Sequence, residues 1–276
     1  MKHVAISFIG AGNMARSLIG GLLGGDCSAQ QLRAADPNPE ARQTLTEHYP
    51  GIFVTHANGD VLADADAIVI AVKPPQVRAV LEEIQPVIAR RQPLVVSIAA
   101  GVRAEAISRW LGGTLPVVRL MPNTPALVGA GATGLYAMPG VDEAQRSLAE
   151  NLARAVGATF WVDDEAQMDT LTAVSGSGPA YFFLVIEALE EAAVEQGLPA
   201  QTARLLALQT AFGATKLALE HDAPAAELRR RVTSKGGTTE QALAALEDGG
   251  LRDLLARAVT AAKARSNELA QQLGAD

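Results

Sequence analysis

Cysteine is almost missing from this 276-residue chain, which has Cys27 alone. One thiol cannot close an internal disulfide, so the fold must hold without cross-links, as suits a reducing compartment. Histidine is nearly as scarce. His3, His48, His56 and His221 show no ligand spacing, so no metal is expected. Basic residues fall short of acidic ones, 23 against 30, for a net charge of −7. Electrostatic capture of a phosphate backbone is thereby disfavoured, and nucleic acid is not an expected partner. No uninterrupted run approaches the ~20 apolar residues that span a bilayer, so no membrane is expected either. The opening MKHVAISFIGAGN has a lysine and a short apolar run, but Gly10 and Gly12 break it and no cleavage pattern follows. The expected location is cytoplasmic. A G-x-S-x-G elbow and a Cys/His nucleophile pattern are also missing.

What is present reads as two domains. Hydrophobic residues make up 49% and aromatics only 4%, so small aliphatic side chains must pack the interior. The first half alternates short β-branched runs with amphipathic stretches, the pattern of βαβ units. Strands are expected at Val4–Ile9, Leu32–Ala35, Ile68–Val72, Leu94–Ile98, Val117–Leu120, Gly134–Ala137 and Thr159–Trp161. Helices are expected between them at Met14–Leu23, Pro39–His48, Pro75–Ala89, Ala104–Leu111 and Asp142–Val156. After Asp163 the pattern becomes all-helical, which divides the chain at 1–162 and 163–276. Gly197 reads as the cap of a helix over Ala180–Gln196, followed by Pro199–Glu220, Pro224–Arg231, Thr239–Leu246 and Leu251–Leu273. Phe182–Ile186 is apolar all round, which predicts burial on every side with a second copy supplying part of the wall. The fold class is α/β: a Rossmann-like, doubly wound parallel sheet followed by an all-helical domain.

The strongest chemical signal is Gly10-Ala11-Gly12-Asn13-Met14-Ala15, between a strand and a helix. In G-x-G-x-x-[GA] the first glycine makes the turn and the second lets backbone approach a pyrophosphate. The small third residue allows the helix to pack on the strand. Asp36, at the end of the second strand, can bind ribose hydroxyls and repel a 2′-phosphate, or serve as a turn residue in Asp36-Pro37-Asn38-Pro39. Arg33 and Arg42 are the nearest cations for such a phosphate. Ala71-Val72-Lys73-Pro74 and Ile98-Ala99-Ala100 end later strands and should border the same ligand. Lys73 is either a catalytic cation or a solvated lysine. Asn123 and Thr124, after another strand, offer neutral hydrogen-bonding groups near the reacting end.

Two segments stand out in the helical half, Ser175-Gly176-Ser177-Gly178-Pro179-Ala180-Tyr181 and Thr233-Ser234-Lys235-Gly236-Gly237-Thr238-Thr239. The second opens a helix, with Thr238 and Gln241 at capping-box spacing. Its amides, hydroxyls and glycines suit a carboxylate pocket or a plain helix cap equally. Asp163, Asp164 and Glu165 read as a solvated turn, with a substrate contact as the sharper alternative.

With FIGAGNMA, AVKP, AAGV, MPNTP, SGSGPAY and VTSKGGTTEQAL in order, the chain resembles pyrroline-5-carboxylate reductases along essentially its whole length. The resemblance implies NAD(P)H-dependent reduction of 1-pyrroline-5-carboxylate to L-proline, the last step of proline biosynthesis. It also implies homo-oligomers built on interlocked dimers. Implied cofactor contacts are Ile9, Gly10, Ala11, Gly12, Asn13, Met14, Asp36, Asn58, Ala71, Val72, Lys73, Pro74, Ile98, Ala99 and Ala100. Implied substrate contacts are Glu165, Thr238 and Thr239, also the expected catalytic residues, with Ser234, Gly236 and Gly237 lining the loop. Lys235 stands where many relatives have proline. Asp36 stands where some have a small hydroxyl residue, so NADH is expected to be at least competitive with NADPH. A β-hydroxyacid dehydrogenase would share the two-part architecture, but Ala180–Gln196 lacks the lysine that chemistry would need.

Overall fold

The computed structural model describes residues 4–274. Eight strands form one sheet in the order β3-β2-β1-β4-β5-β6-β7-β8. In chain order they are β1 Ile6–Ile9, β2 Leu32–Ala35, β3 Phe53–Thr55, β4 Ala67–Ile70, β5 Leu94–Ser97, β6 Val117–Met121, β7 Gly131–Ala137 and β8 Gly157–Trp161. Their helices are α1 Asn13–Leu23, α2 Pro39–His48, α3 Val77–Ile88, α4 Ala104–Trp110 and α5 Glu143–Arg154. The central strands β1, β4 and β5 are buried at every position, as strands covered on both faces must be.

Each face carries its own core. Leu18, Ile19 and Leu22 of α1, Leu45 of α2 and Leu152 of α5 pack on one. Val77, Leu81, Ile84 and Ile88 of α3 join Ile107 and Trp110 of α4 on the other. Those spacings of three and four residues are what one helical stripe requires. Local chemistry sets the ends of α2: Asn38 accepts the Glu40 N–H at 2.9 Å, and Pro39 occupies the first turn.

The expected all-parallel sheet is corrected at one junction, since β7 runs antiparallel to β6. The link 122–130, with a turn at Thr124–Val128 and Gly129 at φ +71°, is too short for the crossover a parallel neighbour needs. The longer connection through α5 then makes β8 parallel to β7.

By its contacts the chain divides into two compact units, one of residues 1–177 with 261–276 and one of 178–260. Residues beyond 163 remain in the first unit because they are anchored there. Met168 and Asp169 of α6 (Gln167–Leu171) are buried, and a π-helical turn, Thr172–Gly176, follows. In the C-terminal segment, Ser266 Oγ donates to Asp169 at 2.7 Å.

The second unit is helical: α7 Gly178–Glu195, α8 Ala200–Glu220, α9 Ala225–Arg231, α10 Thr238–Asp248 and the start of α11, Leu251–Gly274. Gly197, at φ +96°, ends α7 as expected. The expected burial of Phe182–Ile186 is not met within one chain: Phe182, Phe183 and Leu184 are about two-thirds exposed. Leu205, Leu206 and Phe212 of α8 are exposed as well. Each such side chain forgoes ~1.5–3 kcal/mol of burial, a strong drive toward association. The helical run Gln167–Glu195 is also long and apolar enough to cross a bilayer by length and composition. A search for uninterrupted apolar residues overlooks it.

Candidate active site

The carboxyl ends of β1, β2, β4 and β5 lie in register, Ile9 beside Ala35 and Ile70, and Ile70 beside Ser97. This places Gly10, Asp36, Ala71 and Ile98 along one sheet edge, with Asn58 beyond β3 and Asn123 beyond β6. Gly10 sits at φ +100°, where a Cβ would lie 2.7 Å from the Ala71 carbonyl oxygen. Only glycine fits there. Its N–H donates to the Ala35 carbonyl at 2.7 Å. Gly12 caps α1 without any side-chain bond, and a Cβ on it would meet nothing within 4 Å. The space beside Gly12 is therefore open at the positive end of the α1 dipole, a fit for a pyrophosphate.

Asp36 takes the expected turn role in its local bonds. Its Oδ2 accepts the Ala11 N–H at 2.7 Å and its Oδ1 the Asn38 N–H at 2.8 Å. The residue thus joins the glycine loop to the turn before α2. Arg42 donates to the Asp36 and Pro37 carbonyls at 2.8 Å each, and Arg33 reaches Asp64 at 3.9 Å. Asn58 donates to Glu83 at 3.2 Å. Lys73 and Thr124 are exposed.

Asn123 proves to be a bracket. Its Nδ2 donates to the Ser175 carbonyl at 3.1 Å, and its Oδ1 accepts the Ala132 N–H at 2.9 Å. Ser175 Oγ donates to the Ala132 carbonyl at 3.2 Å. The start of SGSGPAY accordingly pins the π-helical turn to β7.

Glu165 departs from the solvated turn expected of its acidic neighbours. Its Oε1 accepts from Arg119 and from the Ala104 N–H at 2.7 Å, at the start of α4. Arg119 lies inside β6 and is 5% exposed, so its charge needs this partner. Burial lowers the Arg119 pKa and Glu165 opposes that shift. Burial, and next the Glu165 charge, raises the Tyr136 phenol. Beside them Arg103 donates to Asp169 at 2.6 Å and to the Glu165 carbonyl at 3.3 Å. Sequence reasoning missed Arg103, Arg119, Asp169 and Ser266. One signal was available, a lone arginine in the apolar run VVRLM.

In the second unit, Ser234, Gly236, Gly237, Thr238 and Thr239 fall together before and within the first turn of α10. Gly236 takes φ +74°, and the Gly237 N–H donates to the Ser234 carbonyl at 3.1 Å. The expected Thr238–Gln241 capping box is not formed. The helix begins one residue earlier, with Gly237 as its cap and Thr238 as its first helical residue. Glu240 reaches back instead, its Oε2 accepting the Gly236 N–H at 2.7 Å. Thr239 is half-buried, while Thr238 and Ser234 are exposed. Among the described residues, no group of three or more His, Cys, Asp or Glu is gathered as metal ligands.

A glycine loop against a helix start at the edge of a doubly wound sheet marks a dinucleotide-binding protein, here with a helical second unit. Residues 5–101 match the coenzyme F420-dependent NADP oxidoreductase domain, and residues 165–269 match the pyrroline-5-carboxylate reductase dimerisation domain. The chain belongs to the pyrroline-5-carboxylate reductase family. It is 50% identical to the Pseudomonas aeruginosa pyrroline-5-carboxylate reductase over 99% of this chain and 100% of that one. The Coxiella burnetii enzyme superposes with a TM-score of 0.93 at 45% identity, covering 96% of this chain and 98% of the other. The Plasmodium falciparum pyrroline carboxylate reductase, solved with NADP bound, gives 0.85 at 28% identity over 98% and 99%. A Mycobacterium tuberculosis 3-hydroxyisobutyrate dehydrogenase, at 0.51 and 18% identity, shares the fold alone. The dimerisation match covers all of the apolar run Gln167–Glu195, which places its exposed face in the self-associating part of the chain.

Proposed function

We propose that this chain reduces 1-pyrroline-5-carboxylate to L-proline with NAD(P)H, with the Gly10–Met14 loop holding the cofactor and the Gly236–Thr239 loop holding the substrate carboxylate. The observation that carries the assignment is a glycine-rich helix start in each unit of a chain so like its relatives. The cofactor, when bound, supplies the hydride. A cyclic imine is basic enough to be partly protonated near neutrality, so the chain needs no strong acid. Its work is positioning: the amides at α10 and the Thr239 hydroxyl fix the carboxylate, and with it the ring face that is reduced. Ser234 and Thr238 line this loop. Glu165 acts through Arg119 and α4 as a positioning residue. Ala71–Pro74, Ile98–Ala100 and Asn58 border the cofactor, and Thr124 lies near its reacting end.

Cofactor choice follows from Asp36, whose carboxylate repels a 2′-phosphate. Absorbance at 340 nm should fall only when the imine is supplied, with kcat/KM for NADH at least comparable to that for NADPH. Asp36→Ser should shift that ratio toward NADPH. An unmoved ratio reduces Asp36 to its turn bonds. Loss of absorbance without imine, or turnover of hydroxy acids instead, contradicts the assignment.

The self-associating unit is a homodimer in this reading, or a larger species built from it, in the cytoplasm and with no nucleic-acid or membrane partner. Light scattering at assay concentrations should report a dimer or a multiple of one. Replacing Phe182 and Phe183 together by serine should yield smaller species. An active wild-type monomer contradicts the exposed-helix argument.

A further inference from the structure

Glu240 has no part in the chemistry described so far, yet it touches the loop that matters most. It is the third residue of α10, half-buried, and its Oε2 accepts the Gly236 N–H at 2.7 Å. Gly237, the cap, has no side chain to serve that helix start, and Thr238 does not serve it either. A carboxylate of the chain itself is thus seated on the loop assigned above to the carboxylate of the substrate.

We propose that Glu240 is a specificity-determining residue that competes with the substrate carboxylate at the start of α10 and thereby sets the KM for the imine. The proposal rests on the reading of Gly236–Thr239 as the carboxylate loop. Two features of the contact support it. The Gly236 N–H is one donor, and at 2.7 Å it is already used. The negative charge also offsets the positive end of the α10 dipole, the same field that would attract a second anion. An incoming carboxylate must displace Glu240 or tolerate a like charge beside it. Either way the loop binds a carboxylate substrate less tightly than it would without the acid, and a neutral analogue gains nothing from removing it.

Steady-state kinetics on the full-length enzyme separate this role from simple capping. Glu240→Gln keeps an acceptor for the Gly236 N–H but removes the charge. Its KM for the imine should fall about three- to tenfold, with kcat moving far less and melting temperature near that of wild type. Glu240→Ala should show the same fall in KM together with a lower melting temperature. An unchanged or raised KM in a Gln variant of native melting temperature overturns the proposal and leaves Glu240 as a cap. Thr239→Ala, measured alongside, tells two failures apart. If it raises KM while Glu240→Gln does not lower it, Glu240 alone is misread. If it leaves KM unmoved, the carboxylate loop itself is misassigned.

Discussion

Thr239→Ala should raise the KM for the imine on the order of ten- to a hundred-fold while leaving cofactor affinity unchanged. The substitution removes a hydroxyl from the second position of α10 but keeps the backbone amides, so part of the carboxylate site survives. A hydrogen bond to a charged group is worth ~1.5–3 kcal/mol, which sets the range. The helix should not suffer, because the cap is Gly237 and no threonine side chain bonds the helix start. For the same reason Thr238→Ala is a clean comparison, free of the capping loss that a Thr238–Gln241 box would have entailed. Cofactor affinity should hold because the glycine loop and Asp36 belong to the other compact unit. Kinetics, melting temperature and cofactor Kd measured together decide it. An unchanged KM in a folded Thr239→Ala protein makes the residue structural and overturns the assignment of this loop to the substrate carboxylate.

Glu165→Ala should act on stability first. Removing the carboxylate leaves Arg119 as an unpaired charge inside β6, with its side chain only 6% exposed. Breaking a buried pair in this way costs ~3–5 kcal/mol, and the melting temperature should drop by roughly 6–20 °C. The start of α4 also loses its acceptor for the Ala104 N–H. Replacing both partners, with Arg119→Met beside Glu165→Leu, should recover much of the loss, since neither charge is then stranded. A substrate contact gives the opposite pattern, a raised KM at native melting temperature and no rescue by the double variant. Thermal melts of the three proteins distinguish these outcomes.

Much of the nucleotide unit was legible because its signals are local. A glycine at a turn of positive φ, a strand before it and a helix after it lie within a few residues of one another. The same holds for Asn38-Pro39 at the start of α2 and for Gly197 at the end of α7. What was not legible depends on partners distant along the chain. The Arg119–Glu165 pair spans 46 residues, and the Ser266–Asp169 bond spans 97. No periodicity reveals that the end of the last helix belongs with the first compact unit. Strand β3 is only three residues long, too short for an alternating pattern. Reversal of β7 was written in the shortness of the 122–130 link, a signal of length rather than composition. In the second loop, local rules pointed to the wrong acceptor. Threonine at capping spacing was there, but the helix began one residue earlier and a carboxylate took the amide.

The central claim is that this chain brings a nicotinamide hydride to the imine carbon of 1-pyrroline-5-carboxylate. The most direct measurement follows deuterium from NAD(P)H labelled at C4, one stereoisomer at a time, with mass spectrometry of the proline formed. One isomer should deliver a single deuterium to C5 of L-proline, one for each cofactor oxidised, and the other isomer should deliver none. Proline without the label, or label from both isomers alike, would contradict it.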